Sequence, residues 1–450
     1  MSDIDKKILA DPATSPNKKS ETEVGSVFVS NYPAYSFWND EDVEAVQNKF
    51  QQQSATDKSF GLYMHIPFCR KRCKFCYFKV YTGKNSSEIQ NYLDALVKEL
   101  EIYGNLPAIQ NRPLRYVYFG GGTPSFISVK HLKFLVEHAR AALPWDQVEE
   151  VAFECEPGTL TQSKLAAIRE IGVTRLSLGV EHFNDDILRD NGRAHVSKEI
   201  YRVREWIKDE GFEQLNIDLI AGMVGDTWES WKETVQLAID YDPDSVTIYQ
   251  LELPYNAIYS QKMRDGEDAD LSFADWKTKR AWQSYAIDQF IAAGYEVSSA
   301  YTVVKKDSRV KFVYRDALWK GSDMLAAGVS SFGHFDGIHY QNASRWKEYL
   351  SGVESGQLPI YRAKQTNSRD QLIREMILQL KLGQIQVDYF ADKFDVNIVE
   401  EFAGQYGQLR DNGMLDFDKD QVTLTRDGLL QVDQLLPLFY DEHYRNARYT

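Results

Sequence analysis

Three cysteines fall within eight positions, Cys69, Cys73 and Cys76, in the spacing C-x3-C-x2-C. They follow directly on a short β-prone run, Leu62 to Ile66. Three thiolates on one tight loop can hold three irons of a [4Fe–4S] cluster, because Cys thiolate is the usual ligand of such clusters. The fourth iron then has no protein ligand and is open to a substrate or cofactor. The same thiols with His65 would also make a four-ligand zinc set. Spacing alone leaves both open.

Other chemistry-bearing residues recur at the ends of later apolar runs. Gly120-Gly-Gly-Thr-Pro124 follows the second run, and a glycine turn there lets backbone approach a ligand closely. Glu154 ends the third run, a position from which a carboxylate can pair with an ammonium group. The fourth ends in Leu178-Gly-Val-Glu-His-Phe183, placing Glu181 at its tip. Arg193 follows in Asn-Gly-Arg-Ala-His195, and a guanidinium fork suits a carboxylate. Asp218 stands in the fifth run, and Tyr249, Gln250 and Glu252 in the sixth. Singly, each carboxylate could be a structural ion pair and Tyr249 a packing residue. Together they occupy successive strand ends, where barrel sites are built. Cys155 alternates to the opposite face from Glu154 and reads as a core thiol.

The elements that position these residues alternate strand and helix. Short apolar runs at Leu62–Ile66, Tyr116–Phe119, Val151–Glu154, Arg175–Leu178, Leu215–Ile220 and Ser245–Leu251 predict six strands. Ser87-Glu-Ile-Gln90 predicts a helix cap, followed by Ile89, Leu93, Leu96, Val97 and Leu100 on one face. Further helices are expected from Thr161, closing at Gly172, then over 197–211, 227–241 and 273–293. Repeated βα units imply a parallel sheet. A strand at 296–301 and the run Gly328-Val-Ser-Ser-Phe-Gly333 are expected to complete the core. Past about residue 369 helices dominate, with a short β-pair near Leu415 and Val422.

Bulk properties narrow the class. The 450 residues suffice for two or three domains, and 43% hydrophobic with 26% charged residues is ordinary for a globular chain. A formal net charge of −14 argues against nucleic acid as the partner. No apolar run approaches the ~20 residues of a membrane span, and Met1 to Lys19 lacks a signal-peptide apolar segment. Three of four cysteines lie in the motif, a reducing-compartment pattern, so a cytoplasmic location is expected.

The cysteine motif after a first strand resembles the signature of radical S-adenosylmethionine (SAM) enzymes. The flanking His65-Ile-Pro-Phe68 resembles the oxygen-independent coproporphyrinogen III oxidase-like (HemN-like) family, and the resemblance covers nearly the whole chain. It implies an α/β fold, a partial (β/α)6 TIM-like barrel with a small, mainly α, winged-helix-like C-terminal domain. The expected division is 1–55 as a partly disordered extension, 56–350 as the barrel with its completing segment, and 365–450 as the C-terminal domain. Val27 to Trp38 reads as a hydrophobic tether, although Ser30-Asn-Tyr-Pro33 is loosely similar to a segment ahead of the barrel in that family.

The resemblance also implies roles. Cys69, Cys73 and Cys76 would hold the [4Fe–4S] cluster. Tyr63, Phe75, Gly121, Glu154, Arg193 and Asp218 would bind SAM, with Gly122, Thr123 and Glu181 facing a second SAM found in some members. Glu181 and Tyr249 are the catalytic candidates. Flavodoxin or ferredoxin would donate electrons, the substrate would be a small molecule such as a tetrapyrrole, and the chain would act as a monomer. Three departures stand out. Relatives usually carry Gln at the place of Glu181. Coproporphyrinogen oxidases carry a further cysteine where Phe78 stands. The heme-chaperone branch has a His-Asn-x2-Tyr-Trp motif where this chain reads Tyr314-Arg-Asp-Ala-Leu-Trp319. The expected activity is therefore hydrogen abstraction by a 5′-deoxyadenosyl radical, leading to methyl transfer, cyclopropanation or tetrapyrrole modification. The alternatives are propionate decarboxylation, as in coproporphyrinogen oxidation, and non-catalytic heme delivery.

Overall fold

The computed structural model describes residues 24–25, 27–55, 58–267, 271–306 and 310–445. Most of the polar N-terminus expected to be disordered lies outside the described residues. Six strands, β1 (Phe60–Ile66), β2 (Leu114–Gly121), β3 (Glu150–Cys155), β4 (Arg175–Glu181), β5 (Gln214–Ala221) and β6 (Ser245–Gln250), lie side by side in chain order. Each is parallel to the next. They are the six runs read from sequence, and the helices between them supply the crossovers that parallel pairing needs. The strand expected at 296–301 holds only at its start, in β7 (Tyr295–Val297); residues 298–301 are instead a tight turn into β8 (Thr302–Lys305). β8 pairs antiparallel with β6.

A seventh parallel strand, β9 (Asp323–Ala327), covers the free edge of β1. β10 (Phe332–Phe335), β11 (Ile338–Asn342) and β12 (Ile360–Gln365) extend that edge antiparallel. The twelve-stranded sheet runs from β12 to β7 without joining, so the barrel is open.

The helices form where caps satisfy their first N–H groups. The one over Ser86–Gly104 is capped by Asn85, not Ser87: Asn85 accepts from Glu88 N, and Glu88 accepts from Asn85 N. Thr161 caps the helix Gln162–Glu170, and Gly172 follows its end at φ +86°. The outward residues of β1, Leu62, Met64 and Ile66, are fully buried under these helices. Burial of such side chains contributes about 1.5–3 kcal/mol each. Cys155 is buried in that core, as expected.

The inner face of the sheet is polar at its centre. Ser177 and Asn216 donate to Asp218 at 3.1 and 3.0 Å. Ser245 and Thr247 donate to Asn216 Oδ1 at 2.8 and 3.1 Å. This chain of bonds across three strands fixes one of the site carboxylates.

The C-terminal unit carries helices at Ser368–Leu380, Val387–Phe394, Ile398–Glu401 and Ala403–Asp411. With them are β13 (Gln384–Gln386), β14 (Leu415–Phe417) and β15 (Gln421–Leu424), paired antiparallel in the order β13-β15-β14. Val29 and Tyr32 from the N-terminal segment are buried in its core. Val29 N–H donates to Asp433 at 2.8 Å, and Asn39 bridges to Ala363 of β12. The segment read as a tether thus joins the sheet edge to the C-terminal core.

Candidate active site

The cysteine loop begins where β1 ends and is strapped over the strand ends. Arg70 reaches Gly158 O and Ala194 O, Arg72 reaches Cys76 O and Asn256 O, and Lys74 N–H bonds to Asn191 O. All three motif thiols are free. Burial pushes Cys69 up to about 11 and Cys76 up to about 12, so both are neutral thiols until a metal displaces the proton. Two thiols already face polar groups that favour a thiolate: Thr123 Oγ1 donates to Cys69 and Arg193 Nη1 to Cys73, both at 3.3 Å.

These donors fit a cluster better than a single zinc. Among the described residues no three His, Cys, Asp or Glu side chains are grouped to hold one metal ion. Cluster thiolates bind different irons and stand farther apart. His65 is also committed elsewhere. Its Nε2–H lies 3.1 Å from Lys79 O, while Nδ1 faces Tyr63 OH at 3.2 Å. Burial lowers it to about 4, so it is neutral.

Arg193 is the centre of the next group. Besides Cys73 it donates to Gly179 O at 2.7 Å and pairs with Glu181 at 3.4 Å. Its Nε is buried with no partner, so the guanidinium has an unused donor for an incoming carboxylate. Glu181 is held at φ +65°, beside a register shift between β4 and β5 that skips Val180. The bulge re-aims the side chain toward Arg193. Gly179 makes room: a Cβ there would stand 3.0 Å from Glu181 and 3.2 Å from Arg193. Burial raises Glu181 to about 7, against the pull of Arg193.

Glu154 accepts from Tyr118 OH at 2.8 Å and from Gly121 N–H at 3.1 Å. Burial raises it to about 7. The glycine turn uses its amides internally. Gly122 N–H goes to Ile66 O and Thr123 N–H to Phe68 O. These N–H groups are spent within the turn and pin the start of the cysteine loop. Gly121 has φ +101°, and a Cβ there would meet the His65 ring at 2.3 Å. Asp218 is raised by burial despite its two donors, Ser177 and Asn216. Phe75 packs with the apolar group that includes Ile187, Ile220, Met223 and Leu251.

Above these groups lies a mouth walled by aromatic rings. Tyr63 and Tyr118, paired in register, stack at 6.0 Å, and Tyr314 meets Tyr118 at 4.5 Å. Tyr249 stacks on Tyr301 at 6.5 Å, and Tyr77 on Phe78 at 4.5 Å. Tyr249 is 41% exposed and Phe78 47% exposed, so these rings are accessible. Burial, with Asp218, Glu154 and Glu181 nearby, holds the Tyr249 hydroxyl well above its ordinary range. Tyr118, Tyr301 and the buried pair Lys381–Asp433 at 2.7 Å were not read from sequence. Tyr118 had a signal, since it lies two residues before Gly120 on the face shared with Glu154. Asp433, which accepts from Tyr301 OH, had none, because it comes from the C-terminal unit.

The family model described as the radical SAM superfamily matches residues 63–238. The heme chaperone HemW of Bacillus subtilis (strain 168) is 26% identical over 385 residues, 84% of this chain and 99% of that protein. The oxygen-independent coproporphyrinogen III oxidase of Synechocystis is 24% identical over 93% of this chain and 92% of its own. The solved coproporphyrinogen III oxidase of Escherichia coli, titled a radical SAM enzyme, superposes with a TM-score of 0.80 at 22% identity. It covers 93% of this chain and 99% of that one, and it shows a shared fold. With the three-cysteine loop at the head of the matched domain, a [4Fe–4S] cluster and SAM are its cofactors. Residues 63–238 thus match a radical SAM domain, and the chain is similar along most of its length to oxygen-independent coproporphyrinogen III oxidases and heme chaperones.

Proposed function

We propose that the protein is a radical SAM oxidoreductase that abstracts hydrogen from a planar, tetrapyrrole-sized substrate. When bound, the reduced cluster and SAM supply a 5′-deoxyadenosyl radical. Cys69, Cys73 and Cys76 hold the cluster. Arg193 offers its unused Nε–H to the SAM carboxylate, and Glu154 takes the ammonium. Asp218, fixed by Ser177 and Asn216, accepts from ribose hydroxyls. Tyr63 and Phe75 flank the cofactor, and the carbonyls of Gly121 and Gly122 line its methionine end.

The observation that carries the substrate class is the aromatic mouth. Ring faces of Tyr63, Tyr118, Tyr249, Tyr301 and Tyr314 gather near Glu154, Glu181 and Asp218. Such faces suit a flat conjugated ligand. Tyr249, exposed at the mouth, would hold or protonate substrate. The names of the relatives, an oxidase of coproporphyrinogen and a heme chaperone, support a tetrapyrrole.

A second reading, methyl transfer or cyclopropanation with two SAM molecules, draws support from Phe78. This exposed ring stacks on Tyr77 in the place where coproporphyrinogen oxidases carry a further cysteine. In that reading Thr123 and Glu181 face the second SAM. Anaerobic turnover with labelled SAM separates the two. 5′-Deoxyadenosine alone supports oxidation, and 5′-deoxyadenosine with S-adenosylhomocysteine supports methyl transfer. Tight heme binding without any SAM cleavage would favour heme delivery and overturn both.

A further inference from the structure

The cysteine loop carries a charge pattern opposite to that of the whole protein. Sixty-six Asp and Glu against 52 Lys and Arg leave the chain at −14, yet Arg70, Lys71, Arg72 and Lys74 put four cations into five consecutive positions. Arg70, Lys71 and Arg72 are exposed. Arg72 lies against the 255–256 turn, where Arg264 bonds Tyr255 O, so a further cation adjoins the loop. On the other side, a cavity of about 300 Å³ opens between the loop and the helix Ser197–Glu210. Arg70, Arg193, His195 and Arg202 line it. Glu199 also lines it and caps Val196 N–H, while Glu156 accepts from His195 and Arg70 through one carboxylate oxygen, so cations outnumber carboxylates there. At its floor Arg193 touches Cys73 Sγ.

We propose that the basic rim formed by Arg70, Lys71, Arg72 and Arg202 is the docking face for an acidic one-electron carrier protein that reduces the cluster. This rests on the radical SAM reading of the cysteine loop. One electron leaves the reduced carrier, which is oxidised by one electron, and enters the cluster, which is reduced by one; no bond forms or breaks. An acidic enzyme repels an acidic carrier over most of its surface. A local basic rim beside the acceptor both attracts the carrier and orients it. The cavity admits an acidic side chain of the carrier up to Arg193, one hydrogen bond from a cluster ligand.

The test uses cluster-reconstituted full-length protein and a purified acidic flavodoxin. Lys71→Glu and Arg202→Glu are the variants, because neither cation holds a backbone carbonyl among the described residues. Iron content and circular dichroism should match the wild type. Flavodoxin affinity should weaken about tenfold or more in the double variant at low salt. Wild-type affinity should fall as NaCl rises. Flavodoxin-driven SAM cleavage should fall with it, while dithionite-driven cleavage stays unchanged. Affinity that is equal in wild type and double variant, or indifferent to salt, would overturn the docking face. Dithionite-driven cleavage that is absent in the wild type would overturn the cofactor reading beneath it, a result distinct from a loss confined to flavodoxin.

Discussion

Arg193 places Nη1 3.3 Å from the sulfur of Cys73, although 120 residues separate the two in sequence. One guanidinium thereby touches the cluster loop, the β4 backbone at Gly179 and the Glu181 carboxylate, and keeps Nε for a ligand. Lysine offers a point charge without the planar fork. Arg193→Lys should keep the cluster, read as iron and sulfide per chain, and lose about tenfold or more in SAM affinity by equilibrium dialysis. Unaltered SAM binding would remove Arg193 from the site.

Glu154 links pH to cofactor binding. Burial raises it to about 7, so below that pH the empty site holds a neutral acid. An ammonium group is paired only by the carboxylate. SAM affinity should therefore rise from pH 6 to pH 8, and Glu154→Gln should bind weakly with that rise reduced. Glu181, also raised to about 7, contributes to the wild-type profile, and Glu181→Gln separates the two. A profile that both variants leave untouched would contradict these assignments.

Gly121 tests the turn that holds the cysteine loop. Its φ of +101° and the 2.3 Å from its would-be Cβ to the His65 ring make any side chain costly. Gly121→Ala should destabilise by about 2–4 kcal/mol in denaturant unfolding and lower cluster occupancy. Wild-type stability and occupancy in the variant would show that the turn has slack.

Glu99 tests the core away from the chemistry. It is fully buried, accepts from Gly328 N–H, Asn342 and Tyr349, and is raised by burial to about 7. Its unfolded pKa is the ordinary 4.5, so between pH 4.5 and 7 the folded state holds the extra proton. Stability from this group is present below 4.5 and lost as pH rises through 7, by up to about 3 kcal/mol. Against Glu99→Gln, the wild type should lose relative stability from pH 5 to 8. A constant difference would refute the raised pKa.

The sheet was legible because parallel strands buried on both faces leave short apolar runs, and all six were read near their true bounds. The strand-end residues were legible for the same reason, since each run's end marks the mouth. The open edge was not. β9 pairs with β1 across more than 200 residues, and local pattern carries no such information. The turn splitting β7 from β8 was hidden because Glu296 to Tyr301 mixes small and apolar residues without a glycine. The aromatic wall was half hidden. Tyr63 and Tyr249 lay within the runs read as strands, but Tyr301 and Asp433 meet only through the docking of the C-terminal unit.

The proposed radical chemistry depends on Cys69, Cys73 and Cys76 holding a [4Fe–4S] cluster that cleaves SAM. Anaerobic reconstitution followed by iron, sulfide and 5′-deoxyadenosine analysis under dithionite tests it most directly. About four irons and four sulfides per chain are expected, with SAM-dependent 5′-deoxyadenosine in the wild type and neither SAM cleavage nor full iron content in Cys73→Ala. Stoichiometric zinc in place of iron and sulfide, or 5′-deoxyadenosine formed by Cys73→Ala, would contradict it.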